Sequence, residues 1–76
     1  MEEFLKIFAE RLALLRNEKN LSQRELASII GVGKSTINQY ESMERSPKIE
    51  QLYKLAKFFN VSVSYLIGES DERNLK

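Results

Sequence analysis

The sequence predicts an all-α fold, a compact bundle of five helices, on three observations. Apolar residues recur at steps of three and four along successive segments. Serine before such segments, and glycine or asparagine after them, supply helix starts and stops. At 76 residues with no cysteine, the chain has room for one core, and helix packing must stabilise it because disulfides and thiolate metal sites are absent.

From Glu3 to about Lys19, Phe4, Phe8, Leu12 and Leu15 lie along one face of a first helix, with Leu5 and Ala9 widening the stripe. Asn20 suits the left-handed position that ends it. Ser22 with Glu25 is a capping box, and Leu21 with Leu26 a hydrophobic staple, so a second helix opens there with Leu26, Ala27, Ile29 and Ile30 facing inward. Gly31 closes it, since glycine takes positive φ without a side-chain penalty. Only Val32 and Gly33 separate it from the next pattern, which forces a sharp helix-turn-helix.

The third helix, about residues 34–41, takes Gly33 as its N-cap and keeps only Ile37 and Tyr40 as a narrow apolar edge. A polar loop from Ser42 to Ser46 follows. Pro47 then fits the first turn of a fourth helix capped by Ser46, whose inward positions are Ile49, Leu52, Tyr53, Ala56 and Phe59, with Leu55 beside them. Asn60 stops that helix, and Ser62 opens a short fifth one holding Val63, Leu66 and Ile67, which Gly68 closes. Residues 1–68 therefore form the domain, and the polar residues 69–76 are expected to be a mobile tail.

Composition narrows the function. At 42% hydrophobic and 30% charged residues, the chain is too apolar for disorder and too polar for a membrane protein. No apolar run approaches the roughly 18 to 20 residues that span a bilayer, and Glu2 and Glu3 stand where a signal peptide would be basic. The expected location is the cytoplasm. Histidine and cysteine are absent, Asp71 is the sole aspartate, and no glycine-rich phosphate loop occurs, so neither enzyme chemistry nor a cofactor, metal or small-molecule ligand is expected. A net charge of +1 is too small to advertise nucleic-acid binding by itself; the distribution of charge has to decide.

The third helix carries the functional signal. A solvated helix is ordinarily covered by Glu and Lys, whereas Ser35, Thr36, Asn38 and Gln39 are weaker helix formers that donate and accept hydrogen bonds to base edges. Lys34 adds a cation at the helix N-terminus, where the macrodipole disfavours it unless a phosphate or guanine compensates.

Over about residues 8–68 the chain resembles the small helix-turn-helix domain of the phage-repressor (Cro/CI-type), or XRE, family. Arg16, Leu21-Ser22-Gln23, Leu26-Ala27, Gly31-Val32, Ser35-Thr36-Ile37, Tyr40-Glu41, Pro47, Leu55-Ala56, Val61-Ser62 and Leu66 carry the resemblance at matching spacing. It implies a lambda-repressor-like bundle in which helices two and three bind double-stranded DNA, the third entering the major groove. It further implies base reading by Lys34, Ser35 and Gln39, with Asn38 close by, a phosphate contact from Gln23, and an internal ion pair between Arg16 and Glu41. Further phosphate candidates are Arg24, Thr36, Arg45 and Lys48. Where many relatives have a loop glycine, this chain has Met43, for which a left-handed backbone would cost about 1 to 2 kcal/mol.

The expected function is thus a sequence-specific transcriptional regulator, a repressor, acting from the cytoplasm or nucleoid of a bacterium or phage-infected cell. A single domain makes few phosphate contacts, so a homodimer on a pseudo-palindromic operator is expected, with Phe58, Phe59, Val63, Tyr65 and Ile67 as interface candidates. The alternative is a protein-binding adaptor or antitoxin-like helical module with DNA binding secondary, which the near-neutral charge, Met43 and the apolar start at Phe4 and Leu5 favour.

Overall fold

A computed structural model describes residues 2–73 as five helices: α1, Glu2–Glu18; α2, Gln23–Ile30; α3, Thr36–Glu41; α4, Ile49–Phe59; and α5, Val63–Leu66. One device ends all of them. After each helix a residue takes the left-handed backbone, in turn Asn20, Gly31, Met43, Asn60 and Gly68. The amide just beyond it then reaches back five residues: Leu21 to Arg16 O, Val32 to Ala27 O, Glu44 to Gln39 O, Val61 to Ala56 O and Glu69 to Ser64 O, at 2.8–3.1 Å. These bonds satisfy carbonyls that a helix end leaves orphaned, and they let short helices stop without losing their last turn. Four of the five residues are Gly or Asn, which tolerate the conformation; Met43, at φ 68°, does not do so freely.

The capping box opens α2 as the sequence leads one to expect: the Ser22 hydroxyl accepts from Glu25 N, and the Glu25 carboxylate accepts from Ser22 N. Two other starts differ from expectation. Gly33 is not the N-cap of α3; its carbonyl accepts from Thr36 N in a turn, and α3 begins one residue after Ser35. Nor does Ser46 cap α4. Pro47 is buried in the loop before the helix, and the extended Lys48 occupies the cap position. With φ fixed, Pro47 serves the loop as a rigid apolar plug instead of entering the first turn.

α1 packs on α3 and α5, and α2 packs on α3 and α4, so α3 is held between the first two helices. The fully buried side chains Phe8, Leu12, Leu26, Ile37, Leu55, Val61 and Leu66 come from all five helices and the α4–α5 turn. Each is worth roughly 1.5 to 3 kcal/mol of burial against exposure. The inward assignments of Ile29, Ile49 and Tyr53 are corrected: all three are exposed, Ile49 by 75% and Tyr53 by 64%. Helical spacing marks a stripe, but the neighbouring helix decides how much of its edge is covered. α4 turns Leu52, Leu55, Ala56 and Phe59 to the core and leaves its first turn uncovered.

Residues 69–73, expected to leave the body as a tail, lie against α1 and α5. Arg11 donates from Nη1 to the carbonyls of Tyr65 and Ser70 and pairs with Asp71. Arg73 pairs with Glu18, and its carbonyl accepts from Ser62 N at 2.9 Å. Both guanidiniums also lie over the Tyr65 ring, Arg11 at 4.2 Å from its centroid. Residues 74–76 of the expected tail lie outside the described residues.

Candidate nucleic-acid interface

The site is built where α2 begins and α3 runs past it. Gln23 is the first residue of α2, directly after its capping box, so its side chain projects at the helix N-terminus. Lys34 and Ser35 are exposed in the turn that leads into α3, and exposed Asn38 and half-buried Gln39 continue the row on the helix, away from Ile37 and Tyr40. Ile37 is fully buried and Tyr40 packs edge-on against Phe8, so the core face of α3 fixes what its polar face can present. Burial also pushes the Tyr40 hydroxyl pKa up, against a weaker opposing effect of Arg45.

A continuous polar chain underlies this face. Arg16 donates to both oxygens of Glu41, from Nε at 2.7 Å and Nη2 at 3.1 Å, and from Nη1 to Leu21 O at 2.7 Å. The Glu41 hydrogen bond raises the Arg16 pKa, outweighing the opposing effect of burial. Gln23 Nε2 donates to Glu41 Oε1 at 3.0 Å, and Asn38 Nδ2 donates to Gln23 Oε1 at 3.2 Å. Nothing in the sequence spacing signals the Gln23–Asn38 contact, because it depends on how α2 crosses α3.

Of the other expected contacts, Arg24, Arg45 and Lys48 are exposed. Thr36 is not part of that surface: it is only 6% exposed, and its hydroxyl accepts from Arg45 Nη1 at 3.3 Å. A residue expected to touch phosphate thus supports the arginine beside it. Arg45 and Lys48 border a cleft of about 270 Å³ that Val32, Gly33, Tyr40 and Gln51 also line. Gln51 Oε1 is buried there without a hydrogen-bond partner among the described residues, and no sequence motif singles that residue out.

The apolar interface candidates divide. Phe59 and Tyr65 are buried in the core, which corrects their assignment to a free surface, whereas Phe58, Val63 and Ile67 are partly buried. What α4 exposes instead is Ile49 and Tyr53, next to an apolar groove of about 170 Å³ between Tyr53, Ala56, Val61 and Val63.

This geometry, a capped helix followed across a glycine turn by a short helix with an exposed polar face, is that of a helix-turn-helix unit. The helix-turn-helix family profile matches residues 12–66, and the chain belongs to that family, in its phage-repressor-like XRE branch. It is similar to the cryptic phage CTXphi transcriptional repressor RstR of Vibrio cholerae, 43% identical over 65 residues, covering 86% of this chain and 59% of the relative. Control protein C.SmaI of Serratia marcescens is 38% identical, covering 90% of this chain and 81% of that protein. The crystal structure of the restriction-modification controller protein C.AhdI from Aeromonas hydrophila matches with a TM-score of 0.74 and 32% identity, covering 82% of this chain and 94% of that one. The chain spans only 59% and 62% of the length of two of the curated relatives it matches. No helix among the described residues is long and apolar enough to cross a membrane.

Proposed function

We propose that the chain is the DNA-binding unit of a transcriptional regulator, a repressor, that reads the major groove of double-stranded DNA with α3 as a homodimer. The single observation that carries this is the polar row of exposed Lys34, Ser35 and Asn38 with half-buried Gln39, running from the turn before α3 onto a helix whose opposite side is locked into the core by Ile37 and Tyr40. Lys34 suits guanine O6 and N7, Asn38 and Gln39 suit adenine, and Ser35 discriminates weakly. Gln23, Arg24, Arg45 and Lys48 hold phosphates and so fix the register. The relatives named as a phage repressor and as controller proteins support a role in regulating transcription.

Dimerisation brings two such units to half-sites about one helical turn, roughly 34 Å, apart on a pseudo-palindromic operator. Phe58, Val63 and Ile67 remain candidates for the contact, with Ile49 and Tyr53 added by their exposure. The experiment is a titration of a random-sequence duplex across salt concentrations. Phosphate binding gives a steep linear fall of log affinity with log salt; a protein-binding module would show no such slope.

A further inference from the structure

The polar chain from Arg16 to Asn38 has a direction. A primary amide rotated by half a turn keeps its shape, so only its partners decide which end is nitrogen and which oxygen. Arg16 is a pure donor and fixes Glu41, a pure acceptor, by two hydrogen bonds. Gln23 must therefore turn its nitrogen to Glu41 Oε1, which leaves Gln23 Oε1 facing Asn38. Asn38 must answer with Nδ2, which leaves its Oδ1 and one remaining N–H for whatever lies in front of α3.

We propose that Arg16, Glu41 and Gln23 are positioning residues that set the polarity of the Asn38 amide and hence the base it prefers. The proposal rests on the reading that α3 faces DNA. One acceptor and one donor on Asn38 match adenine N6 and N7, which ask for that pair. The second N–H of Gln23 stays available for a phosphate, so backbone register and base choice share one hydrogen-bonded chain. An ion pair otherwise regarded as a brace between α1 and α3 thereby acts on specificity without touching DNA.

The test is selection of bound duplexes from a random pool by the wild type, E41Q, N38A and the N38A/E41Q double variant. E41Q replaces the acceptor-only carboxylate by an amide that also donates, so neither Gln23 nor Asn38 is held in one orientation. The wild type is expected to prefer adenine at one position per half-site by about 5- to 150-fold, and E41Q to flatten that position to within about 3-fold while other positions keep their preferences. N38A and the double variant should then be indistinguishable, because the coupling runs through Asn38. A purely structural brace would weaken all positions together, and an unchanged preference in E41Q overturns the proposal.

A second measurement needs no DNA: in the free protein, E41Q or Gln23→Ala must shift the Asn38 side-chain amide resonances, and unmoved resonances overturn the relay. If the wild type selects no sequence, the DNA reading fails and the specificity proposal with it. The amide resonances then report separately on whether the hydrogen-bonded chain itself exists.

Discussion

Arg16 and Glu41 join the last turns of α1 and α3 through a two-point contact, with side chains only 14% and 10% exposed. A pair so withdrawn from water contributes little net free energy when intact, but removing one member strands the other. Arg16→Ala should cost about 3 kcal/mol, the lower end for a buried pair because both groups keep some solvent. Thermal denaturation should register a fall in Tm of roughly 12 to 24 °C. E41Q keeps the shape and one acceptor oxygen but removes the counter-charge of Arg16, so it should be destabilising as well, and an Arg16→Ala loss below about 1 kcal/mol would contradict this account of the pair.

Met43 provides a stabilising prediction. Its left-handed backbone costs about 1 to 2 kcal/mol relative to glycine, offset in part by the roughly 0.5 to 1 kcal/mol that glycine adds in unfolded-state entropy. Its side chain is exposed, so little packing is lost. Met43→Gly should raise stability by about 0.5 to 1 kcal/mol in chemical denaturation, while Asn20→Gly, at a residue that already tolerates the conformation, should be near neutral.

Much of the fold was legible because its signals are local. Capping boxes, glycine and asparagine stops, and three-four spacing act within a few residues, and they located all five helices and most of the core. What escaped depends on distant neighbours. Whether Ile29, Ile49 and Tyr53 are covered, and whether Phe59 and Tyr65 are free, follows from how helices cross rather than from their own periodicity. The same holds in the site. The row from Lys34 to Gln39 stands out as residue types too polar and too uncharged for a plain solvated helix. The turn of Thr36 toward Arg45 and the Gln23–Asn38 contact had no sequence signal, because both join residues by side-chain reach across a turn or between helices.

Gly68 closes α5 at φ 85°, and a Cβ added there would lie 2.8 Å from Ile7 Cδ1 on α1. Gly68→Ala combines left-handed strain of about 1 to 2 kcal/mol with overpacking of about 1 to 3 kcal/mol. Amide exchange should accelerate in α5 and residues 69–73 before it does in α2 and α3. Uniform loss across the molecule would argue against a local seam between α1 and α5.

Arg73 holds the Glu18 carboxyl below its ordinary pKa of 4.5 through a hydrogen bond, outweighing the small opposing effect of burial. A carboxylate whose folded value is depressed contributes stability above its unfolded pKa and loses that contribution as pH falls through the folded one. The Tm difference between the wild type and Glu18→Gln should therefore be present at pH 7 and close as the pH is taken below 4.5. A difference that grows on acidification would reverse the sign of this assignment.

The most direct measurement is operator affinity before and after replacing Lys34 and Gln39 together by alanine, using duplexes enriched by the wild type. Lys34 is exposed in the turn before α3 and Gln39 lies off the buried Ile37–Tyr40 edge of that helix, so the variant should keep its fold and its circular dichroism spectrum. Loss of two base contacts worth about 1 to 3 kcal/mol each should bring binding down to the level of random duplex. Unchanged affinity for the enriched sequence would contradict the claim that α3 reads the DNA.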